Sequence, residues 1–325
     1  MGLHILTGNK SVFKKWSELM CGIAGFCSLK RCYTDRQSFW ENILVSMHEK
    51  LIHRGGDASG IYLTPHAGLS HQRLSIRDIT HGAQPMIRHR DGADYAIVYN
   101  GEIYNTDELI PELTSAGYNF LTTSDTEVIL YAYMHFGASF VSHLNGIFAF
   151  AIWDGATGQL LLYRDRVGTK PLFYSVKDNE LVFASEPKAL FCFPDLTPSI
   201  DKNSLRELLA VGPARTPGYG IFRGICEVLP GHYMCFNTSG LSDTIYWDLK
   251  CLPHTDSYED TVAHVSFLMR DTVKRQMISD VPVCTFLSGG IDSSIVTALA
   301  AAYQREHGEV LNTFSFDFTE NDIYF

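Results

Sequence analysis

Between Gly22 and Ser185 the apolar residues recur in short runs and not along helical stripes. GIAGF, SGIYL, LSHQRLSI, YAIVYNGEI, IFAFAIWD, QLLLYRD, PLFYSV and LVFAS are separated by turn residues such as Gly-Gly-Asp, Asp-Gly and Asp-Asn-Glu. That texture predicts β-strands. Helical spacing intervenes over 39–51, 106–116 and 126–136, the last behind a Ser124-Asp125 N-cap signal. Many strands and few helices predict two packed sheets, an α+β sandwich.

From about 205 to 255 the pattern loosens into Gly-Pro, Thr-Pro-Gly and Leu-Pro-Gly turns and ends in a hairpin-like pair, HYMCFN and DTIYWDL. After Pro253 a helical stretch over 258–278 leads into VPVCTFL, a continuous apolar run of the kind buried in a parallel sheet. A glycine turn, a helix over 293–305 and a second apolar strand, LNTFSFDF, complete one βαβ unit. Internal repeats and low-complexity segments are absent from the sequence.

The full chain has 325 residues, 46 % hydrophobic and 19 % charged, ordinary values for a folded protein. The length predicts about two domains. Lys+Arg number 26 against 36 Asp+Glu, a net charge of −10, which argues against a nucleic-acid partner because phosphate binding needs a basic face. No apolar run approaches the roughly 18 residues of a membrane span. A cytoplasmic location without a membrane partner is expected. Residues 1–19 carry no apolar h-region and no small-residue cleavage site, so they do not read as a secretory signal. The 8 cysteines contain no C-x-x-C pair, and no paired histidines stand at zinc-ligand spacing. No metal ligand is assigned, and most of these thiols are expected to be small buried hydrophobes.

Three stretches carry chemistry. In Met20-Cys21-Gly22-Ile23-Ala24-Gly25-Phe26 the cysteine reads first as a buried strand residue. If Met20 is the start, its removal leaves Cys21 N-terminal. An α-amine with a pKa of about 7.7–8.0 can then act as base toward a thiol of about 8.5 on the same residue. In Tyr99-Asn100-Gly101-Glu102, Asn100 Nδ2 and the Gly101 N–H can serve the oxyanion of an acyl transfer. Arg73 suits a carboxylate by a bidentate pair, while Glu102 or Asp125 suits an ammonium. Each charge taken singly is more often a solvated or salt-bridged surface group. The third stretch, Phe286-Leu287-Ser288-Gly289-Gly290-Ile291-Asp292-Ser293-Ser294, follows an apolar strand and opens a helix. The N–H groups and dipole of such a loop attract anions. A tight turn capped by Asp or Ser is the plainer alternative. A Walker A loop is absent from the chain.

These motifs, with HRGGDASG, SDTEVIL, GIFAFAIWD, YRDRVGTKPLFY, FASEPKAL and LPGHY, stand in the order found in glutamine-hydrolysing asparagine synthetases, which the chain resembles from 20 to about 318. The resemblance implies an N-terminal nucleophile hydrolase-type αββα sandwich over 21–237, a class II glutamine amidotransferase domain. It implies a linker over 238–257 and, over 258–325, the start of a doubly wound α/β domain of ATP-pyrophosphatase type. Cys21 would be the nucleophile, with Asn100 and Gly101 in catalysis. Arg73, Leu74, Ser75, Ile76, Arg77, Asn100, Gly101, Glu102 and Asp125 would bind glutamine. Leu287, Ser288, Gly289, Gly290, Asp292, Ser293 and Phe316 would bind ATP.

The family releases ammonia from glutamine, shelters it, and uses it to amidate an aspartate adenylated by ATP with Mg²⁺, leaving AMP and pyrophosphate. Family members often form homodimers. Two rivals are an amidotransferase of this architecture acting on another carboxylate, and a silent relative that only binds nucleotide or a partner. The joint presence of Cys21, Arg73, Asn100, Gly101 and Asp125 argues against the second.

Three departures from the family pattern stand out. Arg54-Gly55-Gly56-Asp57 has glycine where the family usually has proline, a change of roughly 0.4–1 kcal/mol that softens the loop. Residues 1–20 precede the nucleophile and are expected to be missing from the mature chain, by cleavage or by a start at Met20. Trp16 must be TGG, and an AGT or AGC codon at Ser17 would create GGAG at ribosome-binding distance from Met20; a TCN codon would remove that support. The resemblance also stops before the strands, second pyrophosphate loop and aspartate pocket of a synthetase part. One βαβ unit cannot cover both faces of its strands, so this fragment is expected to be a glutaminase only.

Overall fold

The computed structural model describes residues 20–210, 212 and 216–315. In chain order the strands are β1 (Gly22–Ser28), β2 (Ala58–Leu63), β3 (Ala67–Arg73), β4 (Met86–Arg90), β5 (Ala93–Ile103), β6 (Gly146–Asp154), β7 (Gln159–Arg164), β8 (Phe173–Lys177), β9 (Glu180–Ala184), β10 (Cys226–Glu227), β11 (His232–Asn237), β12 (Gly240–Ile245), β13 (Cys284–Phe286) and β14 (Asn312–Phe314). The helices are α1 (Gln37–Glu49), α2 (Thr106–Ser115), α3 (Asp125–Phe136), α4 (Pro187–Leu190), α5 (Lys202–Ala210), α6 (Tyr258–Gln276) and α7 (Ile291–Glu306). Two compact units meet in sequence where one ends at Leu249 and the other begins at Lys250.

The first unit stacks two antiparallel sheets, β10-β8-β9-β1-β3-β2 and β12-β11-β7-β6-β5-β4. Period-two alternation sends Ile23 and Cys27 of β1, Leu69 of β3, and Ala96 and Val98 of β5 into the layer between the sheets. The opposite faces take helices. Ala24 and Phe26 pack with Trp40, Leu44 and Met47 of α1, whose spacing forms one apolar stripe. Ile97, Tyr99 and Phe148 pack with Leu109 and Leu113 of α2 and Ile129 of α3. Each such fully buried side chain contributes about 1.5–3 kcal/mol. The result is the expected four-layer αββα sandwich. Helix α3 starts where the sequence signals it: Ser124 Oγ accepts the Thr126 N–H at 3.3 Å, and Asp125 and Glu127 occupy the first turn.

The expected boundary at 237 is corrected. Asn237 pairs with Gly240 across a two-residue turn, so β12 completes the second sheet and the expected linker loses its first half. The Asn-Thr-Ser-Gly composition of that turn suits a hairpin as well as a linker. Strand β4 was not foreseen because it is a half-exposed edge rich in charge, nor was α5, which exposes Leu205, Leu208 and Leu209.

In the second unit β13 and β14 run parallel, with Cys284 opposite Asn312, and Ser257 Oγ caps α6 by accepting the Asp260 N–H at 3.1 Å. Its buried apolar cluster is Val273, Met277 and Ala300, and Phe286 is 58 % exposed. The strand run VPVCTFL is therefore not buried on both faces among the described residues. No helix of the described residues is long and apolar enough to cross a membrane.

Candidate active site

Cys21 lies one residue before β1 with the parity of Ile23, which directs its thiol toward the layer between the sheets. The thiol is held by one residue from both sides: Cys21 Sγ lies 3.4 Å from the Leu74 carbonyl oxygen, and the Leu74 N–H donates to Sγ at 3.3 Å. Burial pushes the Cys21 thiol up to about 11, against the smaller opposing effects of the Leu74 contact and the Arg73 charge. The thiol therefore needs a base to react near neutral pH.

Arg54 fixes the backbone at this point. Its carbonyl accepts the Met20 N–H at 3.0 Å, its Nε donates to the Cys21 carbonyl at 3.0 Å, and its Nη1 donates to Glu186 at 2.8 Å. Burial works against the Glu186 carboxylate, but hydrogen bonds from Arg54, Lys188 and His53 outweigh it and hold it at about 2. The neighbouring Gly55 has no room for a side chain, since a Cβ would lie 2.4 Å from the Arg73 backbone. Gly56 is exposed, with nothing within 4 Å of an added Cβ. Gly56→Ala is expected to stabilise the protein by about 0.4–1 kcal/mol in urea unfolding; a loss would mean that the backbone there excludes a side chain.

Strand β5 supplies the facing wall. Its pairing with β4 ends at Ile97 opposite Met86, so beyond that point its outer edge must find other partners. The Tyr99 N–H donates to Gln84 Oε1 at 2.7 Å, and the Ile103 N–H donates to Asp125 Oδ2 at 3.1 Å. The N–H of Gly101 has the same parity and turns to the same side, between those two. Gly101 cannot carry a side chain: a Cβ would lie 2.2 Å from the Ile147 carbonyl oxygen. Asn100 is buried, and its Nδ2 has no hydrogen-bond partner among the described residues. An orphaned buried amide donor is costly unless something else accepts from it.

One cleft is lined by Cys21, Arg73, Leu74, Ile76, Arg77, Asn100, Gly101, Glu102 and Asp125. Eight of the nine expected glutamine-binding residues thus converge with Cys21. Ser75 does not line the cleft; its N–H donates to Asp57 Oδ2 at 2.9 Å. The bidentate role expected of Arg73 is also reduced. Its Nη1 donates to the Ile79 carbonyl at 3.0 Å, and its Nη2 to the carbonyls of Arg77 at 3.1 Å and Asp78 at 2.7 Å. These contacts brace the following turn and leave Nε–H and one Nη1–H of the guanidinium's five donors. Arg77 Nη1 donates to the Ile103 carbonyl at 3.1 Å. Asp125 is buried, accepts the Tyr99 hydroxyl at 2.8 Å, and has its pKa raised by burial, with Arg77 and the Ile103 N–H opposing.

Sequence reasoning missed Met20, Gly82, Gln84, Tyr99, Ser124, Thr126 and Lys170 on the cleft wall. Lys170 stood inside a quoted motif, TKPLFY, without a role. Burial lowers its pKa, and Glu102 and Cys21 oppose that.

In the second unit the Leu287 N–H donates to the Phe314 carbonyl at 2.8 Å, Ser288 and Ser293 hydroxyls lie 3.0 Å apart, and Ser293 Oγ donates to the Gly290 carbonyl at 3.1 Å. Gly289 takes φ +83°, and no side chain caps α7. The plainer alternative of an Asp or Ser cap therefore fails, and the first N–H groups of α7 face the loop. Leu287, Ser288, Gly289, Gly290, Asp292 and Ser293 are together at this turn, and Phe316 lies outside the described residues.

The sandwich with a cysteine at the mouth of an inner strand defines a class II glutamine amidotransferase fold of the N-terminal nucleophile hydrolase type. Residues 20–247 match the glutamine amidotransferase domain model, and residues 264–324 match the asparagine synthase model. The chain belongs to the glutamine amidotransferase/asparagine synthetase family of enzymes. It is 45 % identical over 307 residues to asparagine synthetase [glutamine-hydrolyzing] 3 of Bacillus subtilis, covering 94 % of this chain and 49 % of that protein. It is 33 % identical over 294 residues to asparagine synthetase B of Escherichia coli, covering 89 % and 46 %. It is 35 % identical over 298 residues to amidase chyE of Penicillium rubens, covering 88 % and 43 %. The chain thus spans about half the length of these curated relatives. Among solved structures, glutamine phosphoribosylpyrophosphate amidotransferase from B. subtilis aligns with a TM-score of 0.51 at 18 % identity, over 90 % of this chain and 65 % of that one. That likeness concerns the fold alone.

Proposed function

We propose that the first unit hydrolyses glutamine and that the second belongs to an ATP-using part that transfers the ammonia to a carboxylate, aspartate in the leading reading. The observation that carries the proposal is the pairing of the Cys21 thiol with the unpartnered Asn100 amide in one cleft. Cys21 Sγ attacks the side-chain carbonyl of glutamine after its proton passes to the α-amine of Cys21, once Met20 is removed. The oxyanion forms against Asn100 Nδ2 and the Gly101 N–H. The C–N bond then breaks, the leaving nitrogen takes the proton from the amine, and a glutamyl thioester remains. Water hydrolyses the thioester to glutamate and regenerates the thiol. Glu102 and Asp125 hold the substrate ammonium, and the remaining donors of Arg73 hold its carboxylate. Asn100→Ala is expected to lower kcat for glutamine hydrolysis by about 10²–10³ with a small change in KM; an unchanged kcat would remove the oxyanion role.

The 288–293 turn and the start of α7 would take the phosphates of ATP. Among the described residues no three His, Cys, Asp or Glu side chains converge on a metal position. Mg²⁺ would therefore reach this unit on the phosphates, not through a protein cage. A cytoplasmic enzyme, where ATP is available, fits this reading. The similarity to a protein named an amidase keeps a different acceptor carboxylate as the second reading. Isotope-labelled product analysis of the whole enzyme with candidate carboxylates distinguishes the two.

A further inference from the structure

We propose that His71 and Gln84 are positioning residues, clamping the Tyr99 peptide from two sides and so setting where the Asn100 and Gly101 donors stand. The inference rests on the reading of those two groups as oxyanion donors.

The two donors follow Tyr99 directly, on the stretch of β5 that β4 no longer pairs. A strand edge without a neighbour has no ladder to fix it, and an oxyanion donor displaced by about 1 Å forfeits much of its effect. Side chains replace the ladder here. Gln84 Oε1 accepts the Tyr99 N–H at 2.7 Å, and Gln84 Nε2 reaches Thr126 Oγ1 at 3.3 Å on the first turn of α3. The Tyr99 carbonyl meets His71 Nε2 at 3.1 Å. A carbonyl can only accept, so Nε2 carries the proton and the tautomer is fixed. His71 belongs to β3 in the opposite sheet and is completely buried. The clamp thus ties the donor strand both to the Cys21 sheet and to the helix that carries Asp125.

The chemistry of the ring suits a permanent tie. His71 has its pKa lowered to about 3, chiefly by burial, so the ring is neutral throughout the working range. Its Nδ1 has no hydrogen-bond partner among the described residues. Neither residue needs to touch substrate: His71 acts through the Tyr99 carbonyl, and Gln84 through the Tyr99 N–H.

The test uses the whole protein with Cys21 as its first residue. Glutamine places a nitrogen near the Nε2 position and asparagine near Nδ1. His71→Gln is expected to keep kcat for glutamine hydrolysis within about 3-fold. His71→Asn should lower it about 10–100-fold with KM within about 3-fold. In an Asn100→Ala background His71→Asn should cost much less, because most of what it positions is already gone. Equal loss in both His71 variants at unchanged Tm, or full additivity with Asn100→Ala, overturns the clamp. If Asn100→Ala alone leaves kcat unchanged, it is the oxyanion reading that fails. Nitrogen-15 spectra of His71 give an answer independent of activity: Nε2–H neutral imidazole from pH 5 to 9 is expected, and an Nδ1–H ring overturns the proposal.

Discussion

Cys21→Ala is expected to lower glutamine hydrolysis by at least about 10⁴-fold while leaving the thermal unfolding temperature within a few degrees of the parent. The thiol is the nucleophilic atom at the mouth of the cleft, and its removal takes away few packing contacts because it sits between the Leu74 backbone groups and the cavity. The same loss is expected when Met20 stays attached. A thiol held at about 11 by burial is ionised in only about one molecule in 10⁴ at pH 7, so unaided ionisation does not supply the nucleophile. The amine of an N-terminal Cys21 titrates near neutrality and lies on the same residue, whereas an amide nitrogen bonded to Met20 is not a base. Intact mass, measured on the sample that is assayed, assigns the activity. Protein beginning at Cys21 should hydrolyse glutamine, and protein retaining Met20 should not. Equal rates from both would exclude the amine as the base and leave the nucleophile in place; activity in Cys21→Ala would exclude the nucleophile itself.

The strands were legible because alternation is a local property. The runs around Gly22, Ser59, Tyr95 and Ile147 each became a strand of the sandwich, and the Ser124 N-cap became the start of α3. Which strands would stack is a non-local matter, and the meeting of Cys21 with Asn100 across two sheets was expected only through resemblance to a family. The misses have a common physical cause. Arg54, His71 and Gln84 act on main-chain carbonyls and amides, and a sequence does not show which backbone groups will lack a strand partner. Arg73 illustrates the same point from the other side. Its charge suggested a substrate carboxylate, yet three of its donors are taken by the turn that follows it. The boundary at 237 failed because turn residues look alike inside a hairpin and between domains.

Acid should weaken the sandwich through His71 well before its carboxylates protonate. In the unfolded chain a histidine gains a proton near pH 6.5, whereas buried His71 does so only near 3. Between those values the unfolded state binds more protons than the folded one, so stability rises with pH and is lost on acidification. The slope approaches about 1.4 kcal/mol per pH unit, and the whole window is worth on the order of 5 kcal/mol, a large part of the 5–15 kcal/mol typical of a domain. His48, also lowered by burial, acts in the same direction in the upper part of the window. The lowered carboxylate of Glu186 adds its loss only below about pH 4.5, and Asp125, raised by burial, opposes it there. The interval from pH 6.5 to 5 therefore isolates the histidines. His71→Gln keeps a donor to the Tyr99 carbonyl and cannot titrate. Urea unfolding of the parent should lose about 2 kcal/mol more than His71→Gln between pH 6.5 and 5. Parallel curves would mean that the ring accepts a proton in the folded protein, and a charged imidazole between the sheets would then have to find an acceptor for its second N–H.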